Sequence, residues 1–212
     1  TGECDAKNRH GDLEVVSAAL GCRVEVEFGN AHVEQLKGIT TVNLAHGNLS
    51  ATDLASLSAT LRFADMHARR IAGTLSSEGQ HSDLRIDEVR GDVTLNNQGD
   101  IDIQNVLGRV SIDNQRGHVR VLKAAAAVVI KNTYDMVAAS DVAGLLDVTN
   151  LHGGISARRF LKGANLQTDN EDVEASDFSG PLTVKATRSD VSVNPMREVT
   201  SPIHISVDIG DI

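Results

Sequence analysis

The sequence predicts an all-β protein: a single parallel β-solenoid, or β-helix, of about eleven rungs with roughly 18 residues in each rung. The first observation behind this prediction is a segment that recurs every 17 or 18 residues, at 89–97, 106–114, 124–132 and 142–150. The second is a column of aliphatic residues spaced 18 apart: Ile101, Val119, Val137, Ile155, Val173 and Val191. A fixed short period with apolar residues in constant positions is typical of a solenoid. The coil is predicted to be right-handed, as parallel crossovers generally are.

Each repeat is predicted to contain three short extended pieces. In one repeat they are residues 101–103, 106–108 and 110–112, and the first and third alternate apolar and polar side chains. Alternation sends one set of side chains inward and the other to water. The repeat is too short for a helical crossover, which needs roughly a dozen linking residues. We therefore expect each strand to stack in parallel on its copy one rung away, in a rod roughly 50 Å long.

Composition favours one domain over residues 1–212. Each rung of a solenoid buries itself against its neighbours only, so the length sets no domain boundary. The hydrophobic fraction of 41% is enough for a core, and the aromatic fraction of 2% fits a narrow interior of stacked aliphatic side chains. The chain begins at Thr1, and its last residues, 210–212, resemble the start of another repeat. We therefore expect it to be an excerpt of a longer protein.

The net charge of −9 predicts neither a nucleic-acid partner nor direct contact with an anionic membrane, because both attract basic surfaces. The two cysteines, Cys4 and Cys22, lie one repeat apart. Neighbouring rungs are ~4.8 Å apart, which is within reach of a disulfide. Two small buried thiols are the other interpretation, and the spacing leaves both open.

Two corner positions repeat with polar residues. The first carries Asn97, Asn114, Asn132 and Asn150. Their amides can form hydrogen bonds from rung to rung, which predicts a structural ladder. The second carries mostly charges: Asp53, Arg70, Glu88, Asn105, Lys123, Asp141, Arg159 and Asp177. Opposite charges in register contribute ~0.2–1 kcal/mol each, so we expect this row to help fix the register of the rungs.

Acidic and histidine side chains provide the metal hypotheses. The calcium candidates are Asp169, Glu171, Asp172 and Asp190, because calcium takes oxygen ligands from such clusters. The favoured alternative is that these aspartates cap turns through their own backbone. One corner position, three residues before a strand, carries His10, His46, His81 and His152. His32 and His46 are expected on adjacent rungs, but a third ligand is missing, so we predict no metal site and no cofactor.

Catalytic motifs give no support for an enzyme. The sequence has no Gly-x-Ser-x-Gly elbow, no His-Glu-x-x-His pair and no Gly-Lys-Ser/Thr phosphate loop. Most corners are also short, which leaves little chain to build the walls of a cleft. We therefore expect a non-enzymatic protein.

The repeats at 91–103, 108–121 and 180–186 resemble the bacterial adhesin-like domain of unknown function that is also called the toastrack domain. The resemblance covers residues 70–194 well and residues 1–69 weakly. It implies a parallel β-solenoid in a bacterial cell-envelope or surface protein, often tethered by a membrane segment outside this excerpt. It implies no enzymatic activity and no catalytic residues to carry over.

Three functional hypotheses follow from these observations. The first is a non-enzymatic, adhesin-like binding or display module of the cell envelope or the extracellular surface. Its expected partners are an unknown protein or glycan at the cell surface, or further copies of the chain. The second is a scaffold similar to bactofilins, in which rods polymerise end to end. The third is a polysaccharide-active β-helix.

Overall fold

The computed structural model describes residues 4–196, 198 and 200–212, and these residues contain 22 β-strands and no helix. The first eleven strands are β1 (Cys4–His10), β2 (Leu13–Val16), β3 (Cys22–Phe28), β4 (Ala31–Glu34), β5 (Ile39–Leu54), β6 (Ser56–Arg62), β7 (Ala64–Ile71), β8 (Leu75–Gln80), β9 (Leu84–Val89), β10 (Val93–Asn97) and β11 (Ile101–Val106). The remaining strands are β12 (Val110–Asn114), β13 (Val119–Ala124), β14 (Val128–Tyr134), β15 (Val137–Val142), β16 (Leu146–His152), β17 (Ile155–Phe160), β18 (Ala164–Asn170), β19 (Val173–Ser176), β20 (Leu182–Ala186), β21 (Val191–Asn194) and β22 (Ile203–Val207).

Strands one rung apart pair in parallel, and this pairing forms two long faces. Face A consists of β1, β3, the first half of β5, β6 and the even-numbered strands from β8 to β22. Face B consists of β2, β4, the second half of β5 and the odd-numbered strands from β7 to β21. The predicted parallel β-solenoid of about 11 turns is therefore confirmed.

The prediction of three extended pieces in each repeat is wrong, because each rung has two strands. In the repeat that begins at Ile101, the second piece is not a strand of its own: Val106 is the last residue of β11, and Gly108 lies in the turn that follows. Asn105, just before Val106, has a left-handed backbone with φ of 58°. This bend turns the chain while Val106 still faces the core and pairs with Ala124.

Aliphatic columns fill the interior as the period predicts. Each of the six residues spaced 18 apart is the register partner of the next, and none is more than 3% exposed: Ile101, Val119, Val137, Ile155, Val173 and Val191. Phe160 and Phe178 are the exceptions to the aliphatic rule. They stack inside the core with their ring centroids 4.8 Å apart.

The first rung is joined covalently to the second. Cys4 in β1 is the register partner of Cys22 in β3, their Cα atoms are 4.5 Å apart, and the two sulfur atoms form a disulfide. Of the two interpretations that the sequence leaves open, the bridge is the one found. It closes a loop of one complete rung.

The asparagine ladder lies inside the corner that leads from face A to face B. Its four members are register partners, and none is more than 3% exposed. One hydrogen bond between side-chain amides joins two rungs, from Asn114 Nδ2 to Asn132 Oδ1 at 3.1 Å. The other hydrogen bonds that these amides donate go to backbone carbonyls of the corner, such as the one from Asn97 Nδ2 to Ser82 O at 2.9 Å. The predicted ladder is confirmed in position, and its main role is to satisfy backbone acceptors at the corner.

Replacing Asn132 with alanine is expected to lower the free energy of unfolding by about 1–3 kcal/mol, because the buried and part-buried hydrogen bonds of its side-chain amide are lost. Asn132 Nδ2 donates to the carbonyls of Tyr134 and Asp135. Urea unfolding followed by circular dichroism measures the change. Asn96→Ala is the matched control, because Asn96 is an exposed residue of β10. Equal effects of the two substitutions would contradict the structural role of the ladder.

Candidate functional site

An exposed column of stacked rings is the most distinctive surface feature of the protein. We call it the aromatic ladder, and it consists of His10, Phe28, His46, Phe63 and His81. The rings occupy the same corner position in five successive rungs, with neighbouring centroids 5.0–5.5 Å apart and planes tilted by 0–14°. The ladder is thus roughly 20 Å long, because its rings follow the rung spacing.

Corner geometry keeps the rings of the aromatic ladder aligned. In the first three rungs, a glycine with positive φ follows the ring: Gly11, Gly29 and Gly47. In the next two rungs the ring-bearing residue takes this conformation itself, with φ of 51° at Phe63 and 54° at His81. Register pairing of β1, β3 and β5 then places the first three rings one above another.

The ladder presents ring edges to solvent. Phe28 is 42% exposed and Phe63 is 57% exposed, although the faces of the three inner rings are covered by their neighbours. The three imidazoles add hydrogen-bonding nitrogens to a strip that is otherwise apolar. Beside the strip, face A carries a trough of about 770 Å³ whose lining includes Arg9, Glu27 and Arg62. Apolar edges and charged groups therefore lie next to each other along this corner.

Similar rung-to-rung pairing continues along the same corner beyond the aromatic ladder. Tyr134 and His152 stack with centroids 5.3 Å apart. The ring of His152 also contacts Asn170, whose Oδ1 accepts a hydrogen bond from Arg188 Nε at 2.9 Å. Side chains at this corner can thus stack on, or form a hydrogen bond with, the side chain at the same position in the neighbouring rung.

The sequence identifies the histidine position correctly but misses two of its members. Phe28 and Phe63 lie at the same offset from the next strand as the histidines, so a search by position alone finds them. His32 is not part of this corner: it lies on face B, with Nε2 3.3 Å from Glu34 Oε2. The structure therefore does not bring His32 and His46 into one column.

A shared metal does not fit the ladder histidines. A phenyl ring separates each pair of imidazoles, so neighbouring imidazoles are about 10 Å apart, whereas zinc–nitrogen bonds are about 2 Å long. Within the described residues, no group of three or more His, Cys, Asp or Glu side chains is arranged to hold a metal ion.

Aspartates at the start of face-B strands cap the next rung. Asp172 Oδ1 accepts the backbone N–H of Asp190 at 3.0 Å, and Asp190 Oδ1 accepts that of Asp211 at 2.9 Å. Asp65, Asp83 and Asp100 act in the same way. For Asp172 and Asp190, the expectation that the carboxylate bonds its own turn is wrong, because each accepts the N–H at the same position one rung further on.

The calcium candidates are only partly brought together. Asp172 and Asp190 share one column, while Asp169 lies in β18 and Glu171 lies at the corner with φ of 82°. Calcium binding by these four residues stays the less favoured hypothesis, and the absence of a metal site stays a prediction.

The charged row forms a column of left-handed residues at the opposite corner. All eight members have φ between 51° and 58°, and none is glycine. Arg70 binds Asp53 through two hydrogen bonds of 2.6 and 2.8 Å, and Arg159 binds Asp141 in the same way. Each arginine lowers the pKa of its aspartate, mainly through these hydrogen bonds. The predicted role of this row in fixing register is supported by these two rung-to-rung pairs.

Comparison of the chain with known protein families, with curated proteins and with solved structures found no match. The fold that the resemblance implies is present, and the assignment to a family stays a prediction. Within the described residues, no helix is long and apolar enough to cross a bilayer.

The two arginine–aspartate pairs predict a direction for the pH dependence of stability. The folded-state pKa values of Asp53 and Asp141 lie below their ordinary values, so their stabilisation is present above pH ~4 and is lost as the pH falls further. Urea unfolding between pH 7 and about pH 2.5 measures this loss. The Asp53→Asn/Asp141→Asn double variant is expected to lose less stability over that range than the wild type. An identical pH profile would contradict the contribution of the pairs.

Proposed function

We propose that the chain is a non-enzymatic binding or display module of a bacterial cell envelope or cell surface. The ligand would be a protein or a glycan that lies along the aromatic ladder and the trough beside it. The observation that carries the proposal is the exposure of Phe28 and Phe63 in a chain with so few aromatic residues. Exposed apolar groups rimmed by polar residues are typical of binding surfaces.

The shape and charge of the ladder fit an extended ligand. The strip follows the solenoid axis for five rungs, so a linear chain could contact several equivalent positions. The lining of the trough includes the ion pairs Lys7–Glu25 and Arg9–Glu27, whose remaining donor and acceptor positions can bind polar groups of a ligand. A row of modest contacts of this kind fits the repeated units of a linear polymer better than it fits one small molecule.

The disulfide supports the proposed compartment. Disulfides persist in oxidising surroundings such as the periplasm and the cell exterior, and they are rare in the reducing cytosol. The bridge between Cys4 and Cys22 joins two neighbouring rungs and would persist in such a compartment.

The roles of the ionisable side chains support a non-enzymatic function. The carboxylates of Glu25, Asp53 and Asp141 form ion pairs, and these ion pairs lower the pKa of each. A general acid for glycoside cleavage needs a carboxyl group with a raised pKa. The aspartates of the face-B column use their carboxylates to accept backbone N–H groups.

A binding screen with a ladder variant tests the proposal. The wild type is expected to bind at least one surface glycan or envelope protein, and Phe28→Ser/Phe63→Ser is expected to weaken this binding by at least ~10-fold. Leu20→Ser/Ile39→Ser is the matched control, because Leu20 and Ile39 are exposed apolar residues outside the ladder. Binding that is unaffected by the ladder substitutions would contradict the proposed site. Hydrolysis or elimination of a glycan in the same screen would contradict the non-enzymatic function.

An end-to-end scaffold is the second candidate. Among the described strands, β1, β2, β21 and β22 pair on one side only. Their inward-facing apolar residues are only partly buried: Ala6, Leu13, Val15, Val193, Ile205 and Val207. Open parallel edges are templates for further strands. In this scaffold, β22 of one copy would pair with β1 of the next.

Electron microscopy of the purified chain separates the two candidates. Filaments whose width equals that of one rod would favour the scaffold, and Ile205→Lys is expected to abolish them by placing a charge at the joint. Thr183→Lys is the control, because Thr183 lies on the outer side of β20, the strand next to β22. Discrete rods at all concentrations would contradict the scaffold.

A further inference from the structure

A patch of exposed leucines lies on the narrow third side of the rod. On this side the chain passes from face B back to face A in each rung. We call it the leucine patch, and its central column consists of Leu107, Ala125, Ala143 and Leu161. The backbone N–H groups of these residues each donate to a carbonyl of the preceding rung at 2.9–3.1 Å, which keeps them in one column. Leu107 is 61% exposed and Leu161 is 60% exposed. Large apolar side chains that are exposed on one surface in this way are typical of an interaction site.

The sequence of this column reads the same in both directions along the rod. Two large residues lie at its ends and two small residues lie between them, so reversing the column leaves the pattern unchanged. A twofold axis that crosses the edge between the rungs of Ala125 and Ala143 would place each leucine against the other leucine of a second copy. The two alanine pairs would let the backbones approach closely. Such an isologous contact is the commonest kind in homodimers.

The flanking columns fit the same arrangement. Leu145, which is 45% exposed, would face Ala127 of a second copy, so that a large side chain meets a small one. In the left-handed column, Lys123 of one copy would face Asp141 of the other. Arg109 and Lys162 would lie at the rim, where solvent screens their charge.

The charges favour the antiparallel arrangement over the parallel one. In two rods that run in the same direction, the twofold axis lies along the rods, so the left-handed column would face the column of Ala127 and Leu145. Lys123 and Asp141 would then lie against apolar side chains, whereas the antiparallel arrangement pairs their opposite charges. We infer that the leucine patch is the interface of an antiparallel, side-by-side homodimer. This contact differs from end-to-end stacking, because it leaves both ends of the rod uncovered.

The mass of the particle in solution is the first test. Sedimentation velocity from about 1 to 200 µM is expected to show a concentration-dependent shift towards twice the 22.5 kDa mass of one chain. Leu161→Glu is expected to weaken dimerisation by at least ~10-fold, because it places a charge opposite an apolar side chain. Leu151→Glu is the matched control, because Leu151 is 37% exposed near the opposite corner. A wild type that stays monomeric, or a dimer that Leu161→Glu leaves unchanged, would overturn the inference.

Cysteine trapping tests the relative direction of the two rods. Because the product is covalent, it also detects the contact independently of the affinity of the dimer. The described chain has no free cysteine, so introduced thiols are the only reactive ones. Mixing Leu107→Cys with Leu161→Cys chains under mild oxidation is expected to give a covalent heterodimer, because these positions face each other across the axis. Leu107→Cys alone is expected to stay monomeric on a non-reducing gel, because the two thiols would be about 14 Å apart. Efficient self-linking of Leu107→Cys would indicate parallel rods and would overturn the inference.

Discussion

Every rung of this protein depends on apolar side chains that stack on their counterparts one rung away. Ile101, Val119 and Val137 show the principle: each is the register partner of the next, and each is almost completely buried. Burial of one such side chain contributes about 1.5–3 kcal/mol relative to exposure. A shift of one residue in any strand would turn its inward set to solvent. The apolar columns therefore fix the register, and the register fixes what every other side chain meets.

The surface ladders are consequences of that register. A parallel strand places each side chain about 4.8 Å from the same position in the next rung. Rings stack at this distance, as Phe28 and His46 do; opposite charges pair, as Asp141 and Arg159 do; and an aspartate reaches the next backbone N–H. The register also sustains a column of left-handed residues that are not glycine, each of which costs about 1 kcal/mol in isolation. Most of the polar side-chain interactions of the protein thus stabilise the stacking of one rung on the next.

The parts of the structure that follow from the period could be predicted, and the parts that depend on local geometry could not. The buried column from Ile101 to Val191 and the asparagine ladder require only the count of residues between repeats. The partner of Asp172 could not be predicted, because a corner aspartate can bond its own turn or the next rung, and only the backbone path decides between them. For a similar reason, spacing alone does not decide between the Cys4–Cys22 bridge and two thiols. Residue type alone does not place Phe28 and Phe63 with the histidines, because these residues share a position in the rung and not a side-chain chemistry.

Disulfide trapping between outward-facing positions of face B tests the in-register parallel stacking most directly. Arg120 in β13 and Ala138 in β15 are register partners, and their side chains point away from the core. The account predicts that Arg120→Cys/Ala138→Cys forms an internal disulfide rapidly, since partners one rung apart have Cα atoms about 5 Å from each other. Arg120→Cys/Ser140→Cys, which is displaced by two residues on the same face, is predicted to form it far more slowly. Faster bridging in the displaced pair would contradict the register on which the solenoid depends.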